Sequence, residues 1–192
     1  MRSKLSKLNN DNATSHSAGE DLCAGHALGF PMRAELGFLP IESITLDLFR
    51  CLCEVYTTGS AQPWDIAMKE AEEKLGAGEG PILVARVTAL LRALRAERKI
   101  GFSYLSVGCQ HVSPDELAVS GLLKAARVGD ETALFRGLKL ALDGQPTSAR
   151  TQFAVRALAA FQLQHIAASR DDHAEAESHE LEKQTVRSSY LH

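Results

Sequence analysis

Three short pairings of cysteine and histidine have types and spacing that could do chemistry: Cys23-x-x-His26, Cys51-x-Cys53 and Cys109-x-His111. Thiolate and imidazole are the ligands zinc favours, and they usually come as pairs close in sequence. The spacing separates the three. Cys51 and Cys53 fall inside a predicted helix, where two residues subtend about 200°, so both cannot face one ion. Cys23 and His26 fall in a polar leader expected to be disordered. Cys109 and His111 sit in a loop before a helix, but two ligands do not make a site. The expectation is a core Cys53, a half-buried Cys51 and ordinary loop residues at Cys109 and His111, with no metal and no cofactor. The alternative is a metal- or redox-dependent protein that uses Cys109/His111 with Cys51 or Cys53.

A second set is basic. Arg92, Arg95 and Lys99 lie along one seam of a helix expected from Pro81 to about Arg98, with Arg86 and Arg98 on other sides. Such a seam can meet phosphate or an acidic partner, which gives a nucleic-acid-binding regulator as a further alternative. The positions just after Pro81 are Ile82, Leu83 and Val84, which have nothing to read base edges. Nucleic acid is therefore not the expected partner, and the seam reads as a solvated face paired with nearby acids.

Other patterns are weaker. Gly76-Ala-Gly78-Glu-Gly80-Pro81 opens a helix as phosphate-cradling loops do, but a helix precedes it, Glu79 would repel phosphate and Pro81 lacks an N–H. It reads as a flexible helix–helix link. No Ser/His/Asp or Cys/His set stands at catalytic spacing, so an enzyme is not the expected class. His173 and His179, with Glu175 and Glu177, read as parts of a solvated segment.

The elements that must position these residues are helical. The chain has 192 residues, 45% of them hydrophobic and only 6% aromatic, with Ala and Leu abundant. That mix suits helices packed through small and aliphatic side chains. The fold expected is all-α, an irregular bundle of about six helices with disordered or solvated termini. Residues 1–28 form a disordered leader, 29–169 the helical domain and 170–192 a charged, acidic tail, either solvated helix or disordered. Gly29–Ile41 is expected as an extended lead-in.

Caps and breakers set the helix limits. Ser43 is expected to cap a first helix over Ile44–Tyr56, stopped by Gly59. Pro63 opens a second, to Leu75, and Pro81 a third, to about Arg98. Ser113-Pro114-Asp115-Glu116 is a capping box that launches a fourth, to about Arg127. Gly129-Asp130 stops it and caps a fifth, which ends at Gly144. The sixth follows Pro146 and Ser148 and runs to about Ala168. Ile100–Val112 is expected to be an ordered loop, since a lone strand is only marginally stable.

Two helices carry more apolar surface than one face. In the third, Leu83, Val84, Val87, Leu90, Leu91 and Leu94 form one stripe and Ala85, Ala89, Ala93 and Ala96 another, which marks a central helix. In the sixth, Phe153, Val155, Leu158, Phe161, Leu163 and Ile166 surround most of the axis. Such a helix is buried in the core or covered by another chain, with Phe153 and Phe161 as paired anchors of a dimer. Leu122-Leu-Lys-Ala-Ala-Arg-Val-Gly-Asp130 followed by Ala133-Leu-Phe resembles the helix–turn–helix of an ankyrin-type repeat over about fifteen residues. The resemblance implies a tight antiparallel hairpin and nothing further, because the Thr-Pro-Leu-His start and a repeat period are missing.

The net charge of −3 resides in the tail. Residues 30–168 carry fifteen basic and fifteen acidic side chains, and the last 24 residues carry three and six. This balance argues against nucleic acid and anionic membrane as partners, and no apolar run spans a bilayer. The reading is a small cytoplasmic protein acting through protein contacts, as a regulator, adaptor or assembly factor. Arg92, Arg95, Lys99, Phe153 and Phe161 are its candidate contacts, to a protein partner or to a second copy through the sixth helix.

Overall fold

Proline, glycine and a few carboxylates mark where each helix begins and ends. A computed structural model of the chain describes residues 24–189, and the side chains of residues 24–169. Among these residues the helices are α1 (Ala24–Ala27), α2 (Pro40–Thr58), α3 (Gln62–Glu97), α4 (Pro114–Val128), α5 (Glu131–Ala141) and α6 (Ala149–Ser189), with no strand. The architecture is all-α, as expected. Residues 1–23 and 190–192, and with them most of the expected disordered leader, lie outside the described residues; its last residues hold α1.

α2 starts a turn before Ser43. Pro40 presets the first turn, and Glu42 reaches back to accept from the Leu39 N–H at 2.7 Å. Gly59, with φ of 71°, ends the helix by donating to the Val55 carbonyl. α3 joins the expected second and third helices. Its one non-helical residue is Gly76, at φ 81° and ψ 167°, so the five-residue link contracts to a single hinge. The halves fold back until a Cβ on Gly80 would stand 2.6 Å from the Ala71 carbonyl carbon. Only glycine permits that approach. Pro81 stands five residues after Gly76, inside the second half of α3.

The second half of α3 is the centre of the bundle. Leu83, Val84, Val87, Leu90, Leu91 and Leu94 are each at most 1% exposed, packed between α2 and α6. Its alanine stripe is only partly covered, since Ala93 is buried while Ala85, Ala89 and Ala96 face solvent. α4 and α5 form the expected tight hairpin. The Gly129 turn and the Asp130 cap, which accepts from the Ala133 N–H at 2.9 Å, stand in succession, and Gly137 closes on Leu122. α6 covers α3 and α4 and continues past the expected end at Ala168 to Ser189.

Ile100–Val112 is an ordered loop. Its last residues pair with the lead-in through an isolated antiparallel bridge between Met32 and His111, with Arg33 N donating to Gln110 O at 2.8 Å and Val112 N to Pro31 O at 2.9 Å. No helix among the described residues is long and apolar enough to cross a membrane.

Candidate functional site

The loop that carries Cys109 and His111 is held by a buried cation. Arg50 lies on the inner face of α2 and is fully buried. Its Nε and Nη2 donate to the two oxygens of Glu116 at 2.7 and 2.9 Å. Its remaining donors meet the carbonyls of Ser106 (3.3 Å), Cys109 (2.6 Å) and His111 (2.5 Å). Glu116, equally buried, also accepts from the backbone N–H groups of Leu105 at 3.0 Å and Ser113 at 2.8 Å. Both charges are thus paired and hydrogen-bonded, the condition for burying them. The Glu116 of the capping box was visible in the sequence; its role as counter-ion was not. The legible signal was an arginine at position 50, between the apolar neighbours Leu46 and Cys53 on one helix face.

Two further pairs frame the loop. Arg33 makes a two-pronged contact with Asp47 at 2.8 and 2.5 Å. Arg98 does the same with Asp115 at 2.8 and 2.9 Å while its guanidinium covers the Phe102 ring at 4.4 Å. On the other side of the bundle, Arg127 bridges Glu42 and Gln162.

The cysteines separate as chemistry requires. Cys51 and Cys53 are both buried in α2, so Cys51 lies deeper than the half-buried position expected. Burial pushes the thiols up to about 11 and about 12, with Asp47 and Glu116 the leading charges against the respective thiolates. Neither is set to act as a thiolate ligand or nucleophile. Cys109 and His111 are half-buried, Sγ and Nδ1 3.9 Å apart. The His111 ring meets the His26 ring edge-on, with centroids 5.7 Å apart.

The basic seam is solvent-exposed. Arg92, Arg95 and Lys99 face water, and no carboxylate among the described residues lies within ion-pair distance of them, so pairing with nearby acids is not found. Arg95 instead stacks on the Tyr56 ring at 4.2 Å, in a cleft of about 340 Å³ that Lys99 and Phe102 also line. The arginines outside the seam carry the structure, Arg98 through Asp115 and Arg86 through the Ala157 carbonyl at 3.0 Å.

The expected pair of aromatic anchors is split. Phe161 is 4% exposed, within the core, with Arg86 over its ring at 5.6 Å. Phe153 is 74% exposed. Eight residues along a helix overshoot two full turns by about 80°, and the bundle covers one ring while missing the other. Phe153, Ile82, Ala85, Ala89 and Ala157 line an apolar groove of about 410 Å³ between α3 and α6, with Arg86 and Arg150 on its rim.

No protein family, curated protein or solved structure matches the chain.

Proposed function

We propose that the protein acts in the cytoplasm through protein contacts, as a regulator, adaptor or assembly factor, and that the α3–α6 groove is its docking face. The observation that carries this reading is Phe153. A phenylalanine left 74% exposed beside Ile82 at 45%, over an alanine-lined floor, keeps apolar area in water that a partner would cover. The occupant we assign is α6 of a second copy. The groove rim is basic, while the stretch of α6 that follows Ser169 carries six carboxylates and three cations before the chain ends. A two-fold arrangement sets each acidic stretch against the other copy's arginines and uses the same patch twice. At about 1.5 Å per residue, α6 is roughly 60 Å long, enough to span both copies.

Sedimentation equilibrium at micromolar concentration tests the reading. The expected species has twice the 20.8 kDa chain mass, and Phe153→Glu is expected to give a monomer with unchanged helical circular dichroism. A wild-type species at 20.8 kDa, or a Phe153→Glu dimer, overturns it.

A further inference from the structure

We infer that the cleft at the C-terminal ends of α2 and α3 binds the phosphate of a small organic phosphate monoester, with Arg95 and Lys99 as the counter-charges. Three parts of the chain meet there: Tyr56 and Thr57 from α2, Arg95 from α3, and residues 98–102. α3 ends at Glu97, and Arg98 leaves it in an extended conformation, with φ of −88° and ψ of 141°. That exit lays the following residues along the cleft instead of continuing the helix.

The first observation is charge left open. Arg33, Arg50, Arg98, Arg127 and Arg156 each face a carboxylate at ion-pair distance. Arg95 and Lys99 face none among the described residues, although they line one cleft. Arg95 is held in place by the Tyr56 ring, 4.2 Å from its guanidinium. A stacked guanidinium uses its flat face and keeps the N–H groups of its edge for another acceptor. Arg98 is different, because its nitrogens already meet Asp115, the Ala141 carbonyl at 3.0 Å and the Ile100 carbonyl at 3.1 Å. Thr57 gives its hydroxyl hydrogen to the Cys53 carbonyl at 2.9 Å.

The second observation is in the backbone. The N–H groups of Lys99, Ile100, Gly101 and Phe102 find no acceptor among the described residues, and only the Ser103 N–H closes on Asp115, at 2.7 Å. Backbone N–H groups are strong donors to an oxyanion. The C-terminal dipoles of α2 and α3 favour cations at this end of the bundle, but a dipole needs neither a cleft nor four open donors beside it.

Charge and size select the ligand. Two uncompensated cations in one cleft repel each other, and a dianion relieves both. A phosphate monoester carries about −1.5 to −2 at pH 7, whereas a carboxylate carries a single charge. The arginine fork suits two phosphate oxygens and the lysine adds a point charge. The cleft, about 340 Å³, stands at the lower end of the roughly 300–1,000 Å³ that small-molecule sites occupy. Ile100, 57% exposed, and Phe102 offer apolar surface to the organic part. Residues 30–168 carry equal numbers of acids and bases, so no net positive field draws a nucleic-acid strand to the site. The cleft shares no lining residue with the α3–α6 groove, so its test stands apart from that of the dimer.

The test is titration calorimetry of the full-length chain with phenyl phosphate at constant ionic strength. Phenyl phosphate should bind saturably and one-to-one, and benzoate should bind more weakly. Arg95→Ala and Lys99→Ala should each weaken phenyl phosphate by about tenfold or more, the loss of one charge-assisted hydrogen bond, with unchanged helical circular dichroism. Arg136→Ala, which removes an exposed cation on α5, should leave the affinity as it was. No saturable binding at millimolar phenyl phosphate overturns the inference. So does binding that survives both Arg95→Ala and Lys99→Ala, or benzoate held as tightly as phenyl phosphate. A single-stranded oligonucleotide that binds more tightly than phenyl phosphate, and is lost in the same variants, overturns the small ligand in favour of a nucleic-acid face.

Discussion

Arg50 and Glu116 meet through hydrogen bonds of 2.7 and 2.9 Å with neither side chain exposed, although they come from α2 and the first turn of α4. The pair joins three parts of the fold, because Arg50 also holds the loop carbonyls and Glu116 closes the α4 cap. Removing one partner leaves the other charge buried alone, which costs about 3–5 kcal/mol. Arg50→Met and Glu116→Gln should each lower the urea-unfolding free energy by that order. The double variant Arg50→Met/Glu116→Leu should lose less than the sum of the two single changes. Additive losses would show that the two side chains stabilise the fold independently.

The centre and the seam of α3 should respond differently to truncation. Leu94 is completely buried, so Leu94→Ala, like Leu91→Ala, should cost about 2–5 kcal/mol in denaturant unfolding. Arg95 is exposed and stacks on the face of Tyr56, so Arg95→Ala should stay within roughly half a kcal/mol. A loss at Arg95 as large as that at Leu94 would mean that the stacked guanidinium holds α3 to α2.

The buried thiols give a pH signature. Burial raises Cys51 and Cys53 from the ordinary 9.0 to about 11 and about 12. With the folded values above the unfolded ones, the protonated thiols' contribution is complete below pH 9.0. It is lost as pH rises from there towards the folded values, by at most about 1.4 kcal/mol per thiol for each pH unit. The urea midpoint should therefore fall above pH 9.0 and fall less steeply in a Cys51→Ala/Cys53→Ala variant. Equal slopes would assign the alkaline loss to other groups. Alkylation at neutral pH should label neither thiol until the chain is unfolded.

Local signals determined the helical content and most of its punctuation. The Ser113–Glu116 box, the Gly129-Asp130 stop and cap, Gly59 and Gly76 act within a few residues of themselves, so their effect is readable without the fold. The leucine stripe of α3 was legible for the same reason, as one period of 3.6 residues sustained from Leu83 to Leu94. Where two local signals competed, the nearer reading lost. Pro40 with Glu42 outran Ser43 as the start of α2, and Gly76 alone made the turn for which a longer link was expected.

Everything that depends on distant residues was decided by the tertiary structure. A sequence shows that Arg50 breaks an apolar face, but only packing shows that Glu116 and three carbonyls wait for it. Periodicity places Phe153 and Phe161 on one helix, while the position of α3 decides that one is core and the other surface. Spacing within each Cys/His pair was visible from the start. That His26 stands against His111 follows from α1 lying on the loop, an approach that the missing side chain of Gly25 allows. Helix ends are set by bonds a turn long, and charge pairing and burial by contacts that close only when the chain has folded.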